Sequence, residues 1–232
     1  MAVAHPPEEL ATELQRARAR ELLKRRYIKE RILNYSWDEQ AKVWIPGPLY
    51  WFTECTYTFD KHWQKKGLAS PYNRMERKPY LPYVFHQFLT VPLVFLPKSR
   101  EMVVTWSLLA YLVWKCQFFP ETQVVFQGQK MEKVQDLIVG RDSPGYARTL
   151  WERQDEWLRE ENPLAKRVED MPAHRLTWKN GSEIIGVPAG ADQVRQYHPS
   201  IFVTDEAAHV DDFQGSYDSA VPVAQQIIAV SS

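Results

Sequence analysis

The sequence predicts an α/β fold in which helices flank a mainly parallel sheet. Short apolar runs alternate with helical stretches from Val91 onward. These runs are continuously apolar, as in parallel strands that are covered on both faces, whereas half-exposed strands alternate apolar with polar residues. One hairpin is marked by Asn180-Gly181, the strongest short hairpin signal.

Each apolar run is expected to be a strand and each longer stretch between runs a helix. The predicted strands are residues 91–96, 123–126, 175–178, 183–187, 201–203 and 227–230, the first of them largely buried. The predicted helices are residues 105–116, 131–139 and 146–161. Ligands on such sheets bind at the carboxyl ends of the strands, so chemistry is expected there.

Two regions precede this core. Residues 1–35 are predicted to form an N-terminal amphipathic helix or arm, and residues 36–83 an irregular lead-in rich in aromatic residues. The core follows at residues 84–232. The basic run of the arm is compatible with a solvated helix face, or with contact to a neighbouring subunit or DNA.

Composition limits the class of protein. Lys plus Arg and Asp plus Glu both number 29, so a compact DNA-binding module is disfavoured, although one face of an oligomer can still contact DNA. The two cysteines fit a reducing compartment better than a disulfide framework or a zinc site. The most apolar stretch, residues 102–114, is too short to span a bilayer. We therefore expect a soluble intracellular protein with no membrane association.

An acidic pair, Asp205-Glu206, follows the predicted strand at residues 201–203. A nucleoside triphosphatase needs such a pair, because the Asp holds the Mg²⁺ shell and the Glu orients and deprotonates the attacking water. Alternatively, Asp205 caps a helix N-terminus. The last strand ends in two hydroxyls, Ser231 and Ser232.

The loop at residues 98–105 joins the first core strand to a helix. A standard phosphate loop reads G-x-x-x-x-G-K-[ST], and its backbone N–H groups cradle phosphates. Only Thr105 matches this pattern, since Lys98 and Val103 stand at the glycine positions and Val104 at the lysine position. The pattern alone indicates a strand-to-helix loop.

The order of these segments resembles the large subunit of tailed-bacteriophage terminases. Residues 96–102, LPKSREM, resemble that family's P-[RK]-[SQ]-[RQ] loop, in which some members carry a displaced lysine at the loop's start; Lys98 matches it. The longer block comprises Asn180-Gly181-Ser182, residues 190–195 (GADQVR) and residues 204–209 (TDEAAH). The resemblance covers residues 80–232.

The resemblance implies a RecA-like, additional-strand ATPase at residues 84–232. Such a protein uses ATP and Mg²⁺ and assembles as a homo-oligomeric ring on a portal protein, together with a small terminase subunit. Hydrolysis drives double-stranded DNA into a procapsid in the host cytoplasm, and the last strand couples hydrolysis to motion. The family's C-terminal nuclease has no counterpart in this sequence, so nuclease activity is not predicted.

The same resemblance implies roles for particular residues. Glu206 is the expected base, Lys98 or Arg100 the expected phosphate contact, and Thr105 and Asp205 the expected metal ligands. The nucleotide-binding set comprises Gln87, Lys98, Ser99, Arg100, Glu101, Met102, Val103, Val104 and Thr105. Arg141 is expected to reach a neighbouring subunit's γ-phosphate, with Arg148 and Arg153 as alternatives. Arg195 is expected to sense nucleotide or order the acidic strand, or else to pair with Asp192.

Two other functions compete with this assignment. Residues 205–209 loosely echo the DEAH box of helicases, but such enzymes need a second RecA-like domain for which this length leaves no room. A non-catalytic assembly module with a degenerate nucleotide site is the other alternative. Retention of adjacent acids at a strand end argues against that module.

Overall fold

The structure is a computed structural model that describes residues 7–99 and 103–231, with side chains from residue 13 onward. The described helices are α1 (Pro7–Leu33), α2 (Gly47–Tyr50), α3 (Leu81–Thr90), α4 (Val104–Phe118), α5 (Met131–Leu137), α6 (Tyr146–Glu152), α7 (Glu156–Glu161), α8 (Ala191–Arg195) and α9 (Phe213–Ala220). The described strands are β1 (Ser36–Asp38), β2 (Val43–Ile45), β3 (Thr58–Phe59), β4 (Tyr72–Asn73), β5 (Leu93–Pro97), β6 (Gln123–Gln127), β7 (Arg175–Thr177), β8 (Glu183–Val187), β9 (Ile201–Asp205) and β10 (Gln226–Ser231).

Six strands form the central sheet in the order β5-β10-β9-β6-β8-β7. All neighbouring pairs are parallel except β7 with β8, which form the hairpin around Gly181 at φ 86°. Strand β10 lies between β5 and β9, so one strand separates the phosphate-loop candidate from the acidic strand. This inserted strand is the mark of the additional-strand class, and the predicted α/β, RecA-like fold is confirmed.

Helices cover the sheet on both faces. Helix α4 lies on one face and is buried along nearly its whole length, which explains why it is apolar all round. On the other face, α8 and α9 pack against a smaller cluster that includes Val125, Phe202 and Ala220. Every residue of β9 is buried, as expected for a central parallel strand.

Strand β5 is less buried than the sequence predicts. Val94 is buried, but Leu93 is 41% and Phe95 54% exposed. The expectation of a largely buried strand was wrong because β5 pairs only with β10 and forms an edge of the sheet. Phe95 instead contacts Phe213 and Tyr217 of α9 in aromatic pairs.

The single helix predicted at residues 146–161 is two helices, α6 and α7. The chain turns between them because Gln154 points into the core, where its side chain bonds Trp51 and Gln117. Asp155 then has an extended backbone at the N-cap of α7. The tryptophans at 151 and 157 therefore do not share one continuous helix face.

The N-terminal regions contain more regular structure than an irregular lead-in. Helix α1 is exposed from residue 13 to residue 24, and its leucines at 14, 22 and 23 form no buried stripe, contrary to the amphipathic expectation. Its end is anchored by Ile32, which is buried and whose carbonyl accepts from Trp114 Nε1. Residues 36–83 hold two short hairpins and a buried helical segment at residues 47–55. The boundaries of the three regions stay predictions.

Both cysteines are buried free thiols. Burial raises the pKa of Cys55 to about 12, and it raises that of Cys116 well above its ordinary value. Among the described residues, no helix is long and apolar enough to cross a membrane.

Candidate active site

The predicted acidic pair ends the central strand β9. Asp205 is the last residue of the strand and is 8% exposed. Glu206 follows in a left-handed conformation (φ 56°, ψ 46°), which ends the strand abruptly and changes the direction of the chain. Because β5, β10 and β9 are parallel, their carboxyl ends bring the loop after β5 to the same edge of the sheet.

Thr105 meets Asp205 across this edge. Thr105 lies in the first turn of α4, and its Oγ1 is 3.3 Å from Asp205 Oδ2 and 3.5 Å from Oδ1. These distances exceed the 2.7–2.8 Å typical of a hydroxyl hydrogen bond, so the direct contact is weak. The arrangement places one hydroxyl and one carboxylate side by side.

One hydroxyl and one carboxylate suit Mg²⁺, which takes few of its ligands from the protein. They do not suit a metal that is coordinated mainly by protein side chains. Mg²⁺ prefers oxygen ligands and keeps several waters, taking one or two carboxylates together with substrate phosphates. Within the part of the chain that the structure describes, no group of three or more His, Cys, Asp or Glu could hold a metal ion. Thr105 and Asp205 therefore match a magnesium site completed by a nucleotide and not a pre-formed metal cage.

Asp205 is held in a setting that opposes its charge. Burial raises its pKa above the ordinary value, and the Glu206 carboxylate raises it further. The Lys98 ammonium and the Thr105 hydroxyl act in the opposite direction but do not cancel the effect of burial. An incoming cation would relieve this cost, so the site favours binding of positive charge.

Asp205→Asn is expected to raise the stability of the ligand-free protein. Because the pKa of Asp205 is higher in the folded than in the unfolded chain, ionisation of this carboxyl lowers the free energy of unfolding. Wild type therefore loses stability relative to the variant as the pH rises through the folded-state pKa. We expect the melting temperature of the variant to exceed that of wild type by about 2–4 °C at pH 8, corresponding to roughly 1 kcal/mol. Thermal melts at pH 4 and pH 8 test this, and a difference that does not grow with pH contradicts it.

Lys98 and Glu206 form the second contact of the site. Lys98 Nζ donates to Glu206 Oε1 at 2.7 Å, and the lysine side chain is only 7% exposed. Lys98 follows β5 directly, and its backbone N–H donates to the Ser231 carbonyl at 2.8 Å. The lysine is therefore fixed both by its strand and by the candidate base.

The end of β10 touches both loops of the site. The carbonyl of Ser231 accepts from Lys98, and its Oγ accepts from the Ala208 N–H at 3.0 Å. Ala208 lies two residues beyond Glu206. One residue of the additional strand thus bonds to the lysine loop and to the acidic loop.

Val103 has a strained backbone at the position where a standard phosphate loop has glycine. It occupies the N-cap of α4 at φ 56° and ψ 13°, a left-handed conformation that is a genuine outlier for a β-branched residue. The standard phosphate-loop pattern has a glycine at this position, where positive φ carries no steric penalty. The backbone has kept the conformation although the sequence has lost the residue suited to it.

Val103→Gly is therefore expected to stabilise the chain. Left-handed backbone costs L-residues about 1–2 kcal/mol, and the entropy of glycine offsets part of the gain. We expect a net gain of about 1 kcal/mol, seen as a melting temperature roughly 2–4 °C higher. The matched control is Val104→Gly, which removes a side chain only 1% exposed from the first helical turn and should destabilise. If both variants lower the melting temperature equally, the backbone of Val103 is not strained.

Comparison with solved structures places this architecture among known folds. The HK97 bacteriophage large terminase superimposes with a TM-score of 0.51 at 15% identity, over 69% of this chain and 34% of that one. The chain has the fold of a phage large terminase. It spans about a third of the length of the HK97 protein. The predicted resemblance to terminases is thus confirmed at the level of the fold.

Two other terminase structures are similar with lower scores. The Thermus phage P74-26 large terminase ATPase domain gives a TM-score of 0.45 at 13% identity, over 75% of this chain and 69% of that one. A large terminase from a thermophilic bacteriophage, in complex with ADP, gives 0.40 at 9% identity, over 66% and 39%. No family model matches the sequence. No curated protein matches it either.

The structure describes only part of the remaining predicted nucleotide-binding set. Arg100, Glu101 and Met102 lie outside the described residues. Ser99 follows Lys98 at the loop's start, and Val104 is buried as the first residue of α4.

Gln87 is not brought to this loop. It is exposed on α3, and the carbonyl of the next residue, Phe88, accepts from Gln226, which begins β10. Gln87 therefore lies toward the end of the sheet opposite Lys98 and Thr105. Helix α3 ends three residues before β5 begins, so its last turn lies at the amino end of that strand, whereas Lys98 follows the carboxyl end.

The candidate arginines all have contacts within the chain. Arg141 is 3.4 Å from Asp136, and Arg148 pairs with Glu152 at 2.9 Å. Arg153 lies over the Tyr72 ring at 3.8 Å. Arg195 bonds Asp192 at 3.1 Å and also donates to Ser219. A role across a subunit boundary stays a prediction for each.

One neighbour of the site was missed from the sequence. Tyr146, the first residue of α6, stacks on Trp106 with ring centroids 3.9 Å apart and planes 5° from parallel. Burial raises the pKa of Tyr146, and the carboxylates of Asp60, Asp205 and Asp136 raise it further. Nothing local in the sequence pairs residues 40 positions apart, so only the fold shows that α6 begins beside Asp205.

Proposed function

We propose that this chain is the ATPase of a viral DNA-packaging motor, which couples ATP hydrolysis to translocation of double-stranded DNA into a procapsid. One observation carries the ATPase part of this proposal. Four side chains meet at one edge of the sheet in two contacts of 2.7 Å and 3.3 Å: Lys98 after β5, Thr105 in the first turn of α4, and Asp205 and Glu206 at the end of β9. These are a phosphate-binding cation, a metal-ligand pair and a base.

The metal-binding half of the site has a defined role. Thr105 and Asp205 would hold Mg²⁺, which neutralises charge on the β- and γ-phosphates. Burial raises the pKa of Asp205, so a bound cation would stabilise the ionised form of its carboxylate. Thr105 is fixed by α4, and the N-terminal end of that helix would face the phosphates of a bound nucleotide.

Lys98 supplies the charge that the loop otherwise lacks. Val104, at the usual lysine position, is buried in α4 and carries no charge. Lys98 approaches from the opposite side of the loop and already lies at the carboxyl edge of β5. A cation at this point stabilises the negative charge that develops on the γ-phosphate, which is the dominant catalytic contribution in phosphoryl transfer.

The Lys98–Glu206 pair links substrate binding to the base. In this structure the ammonium is bonded to the carboxylate that is proposed to act on water. A γ-phosphate competes for the same ammonium, and transfer of Lys98 to the phosphate leaves a Glu206 oxygen able to orient the water and accept its proton. Glu206 is 37% exposed, so water reaches it.

Assembly completes the proposed motor. We infer a homo-oligomeric ring on a portal protein, with a small terminase subunit and double-stranded DNA as partners, active in the host cytoplasm. Arg141, in the loop between α5 and α6, is the proposed cation for a neighbour's γ-phosphate. Its 3.4 Å contact to Asp136 is long and exposed, so it can be exchanged at low cost.

Steady-state ATP hydrolysis against protein concentration tests this function. With Mg²⁺, turnover that rises faster than linearly with concentration and vanishes in EDTA is the expected result, because the neighbour's arginine completes the site. If ATP is neither turned over at any concentration nor bound in calorimetry, the ATPase proposal fails. The non-catalytic assembly module would then be the preferred function.

A further inference from the structure

A groove away from the active site is lined by positive charge. It has a volume of about 510 Å³ and lies beside the end of α6 and the loop before β7. Four of its lining residues are cations, namely Arg153, Arg159, Lys166 and Arg167. Among the described residues, none of the four forms a salt bridge. A chain whose net charge is zero thus gathers unpaired cations in one place.

The two carboxylates that line the groove, Glu152 and Glu169, are partly offset by one further cation, Arg148. Arg148 pairs with Glu152 at 2.9 Å and with Glu169 at 3.8 Å. Of the three acidic residues of α7, Glu156 and Glu160 line a different cavity that faces α1, and Glu161 pairs with Lys29 of α1. The four cations therefore outnumber the two carboxylates of the lining, so the net charge of the groove lining is positive.

One donor in the groove also lacks an acceptor. Arg159 Nε is buried and has no hydrogen-bond partner within the described ranges. The guanidinium lies over the Trp151 ring, 5.9 Å from its centroid, which holds it in place without satisfying its N–H groups. A buried unsatisfied donor costs free energy until an acceptor binds. Anionic oxygens are the strongest acceptors for a guanidinium.

We propose that this groove binds the phosphate backbone of double-stranded DNA; the proposal rests on the motor function above and names its DNA-contacting surface. The cations are long, three of them are exposed, and they line an open groove, as suits a sequence-independent contact with a repeating phosphate chain. The described residues that line it offer no set of buried polar groups that would select a small ligand.

Helix α6 connects this groove to the active site. Its first residue, Tyr146, stacks on Trp106 next to Thr105, and its last residues, Trp151 and Glu152, line the groove. A helix of seven residues is about 10 Å long. A displacement of α6 at its first residue would therefore move Arg153, the groove cation that directly follows the last residue of the helix.

Salt-dependent DNA binding tests the groove. The probe is a fluorescent 30-base-pair duplex, measured by anisotropy in the full chain from 50 to 300 mM salt. Lys166→Ala with Arg167→Ala removes two exposed cations whose side chains form no hydrogen bond or salt bridge with the described residues, so we expect the variant to fold like wild type. Each phosphate contact contributes about 0.9 to the slope of log K against log salt, so the slope should fall by about 1.8. The matched control, Lys61→Ala with Lys65→Ala, removes the same charge at two exposed residues outside the groove and should leave the slope unchanged.

The outcomes separate the groove from the motor function. Equal losses in both double variants, or an unchanged slope in the groove variant, would overturn the groove. Binding of polyglutamate but not of duplex would assign the groove to an acidic protein and also overturn it. DNA-free ATP turnover is measured on the same samples and should be unchanged in the groove variant. If ATP is turned over but the groove does not bind DNA, only the groove proposal fails. If the groove binds DNA but ATP is not turned over, only the ATPase proposal fails.

Discussion

Glu206→Gln is expected to abolish ATP turnover, by about 10²–10⁴-fold, while ATP still binds. A positioned base contributes that factor, and glutamine keeps the shape of glutamate but cannot accept the proton of the attacking water. The loss of the Lys98 ion pair also frees the ammonium for the γ-phosphate, so ATP affinity should not fall. Single-turnover hydrolysis and calorimetric binding, both with Mg²⁺, measure the two effects separately.

Glu121→Gln is the matched control for this variant. This variant makes the same chemical change at another residue with left-handed backbone, since φ is 54° at Glu121 and 56° at Glu206. Glu121 is exposed in the turn before β6, at the opposite end of the sheet. Its turnover should equal that of wild type. If Glu206→Gln retains more than a tenth of wild-type turnover, Glu206 is not the base.

Lys98→Ala is expected to lower turnover by about 10²–10³-fold and to weaken ATP binding as well. Removing one preorganised donor to developing charge costs that much in other enzymes, and no described side chain replaces it. Because Lys98 and Glu206 act on one phosphate and its water, their effects should not add. Combining Lys98→Ala with Glu206→Gln should be little worse than the more damaging single change.

Lys29→Ala supplies the comparison for Lys98. Lys29 pairs with Glu161 at 2.8 Å, nearly the same distance as the Lys98 pair, but half of its side chain is exposed. Its removal should leave turnover and ATP affinity unchanged, since exposed pairs contribute little. Purely additive losses in the double variant would show that Lys98 and Glu206 act independently.

Much of the fold followed from apolar periodicity. The strands at β6, β8, β9 and β10 lie where continuous apolar runs predicted them, because a buried parallel strand needs apolar residues on both faces. The same rule failed for β5, since an apolar run does not reveal whether a strand is central or at an edge. The break after α6 was missed because the partners of Gln154, Trp51 and Gln117, are distant in sequence.

The position of the acidic pair at a strand end was predictable from the sequence. The resemblance to terminases implied that Asp205 and Thr105 are joint metal ligands, and the structure brings their side-chain oxygens to 3.3 Å. The left-handed backbone of Val103 had a signal in sequence, since the standard loop has glycine there. The bond between Lys98 and Ser231 had none, because backbone pairing of two strand ends depends on sheet order, which the residues do not state.

The two buried thiols make the molecule easy to label. Maleimides react with thiolates, and Cys55 and Cys116 are both enclosed and kept protonated by their raised pKa values. A cysteine introduced at an exposed position is then the single reactive group, without removal of the natural ones. A dye at Lys166→Cys, beside α6, would report fluorescence changes during each nucleotide cycle from an otherwise unaltered chain.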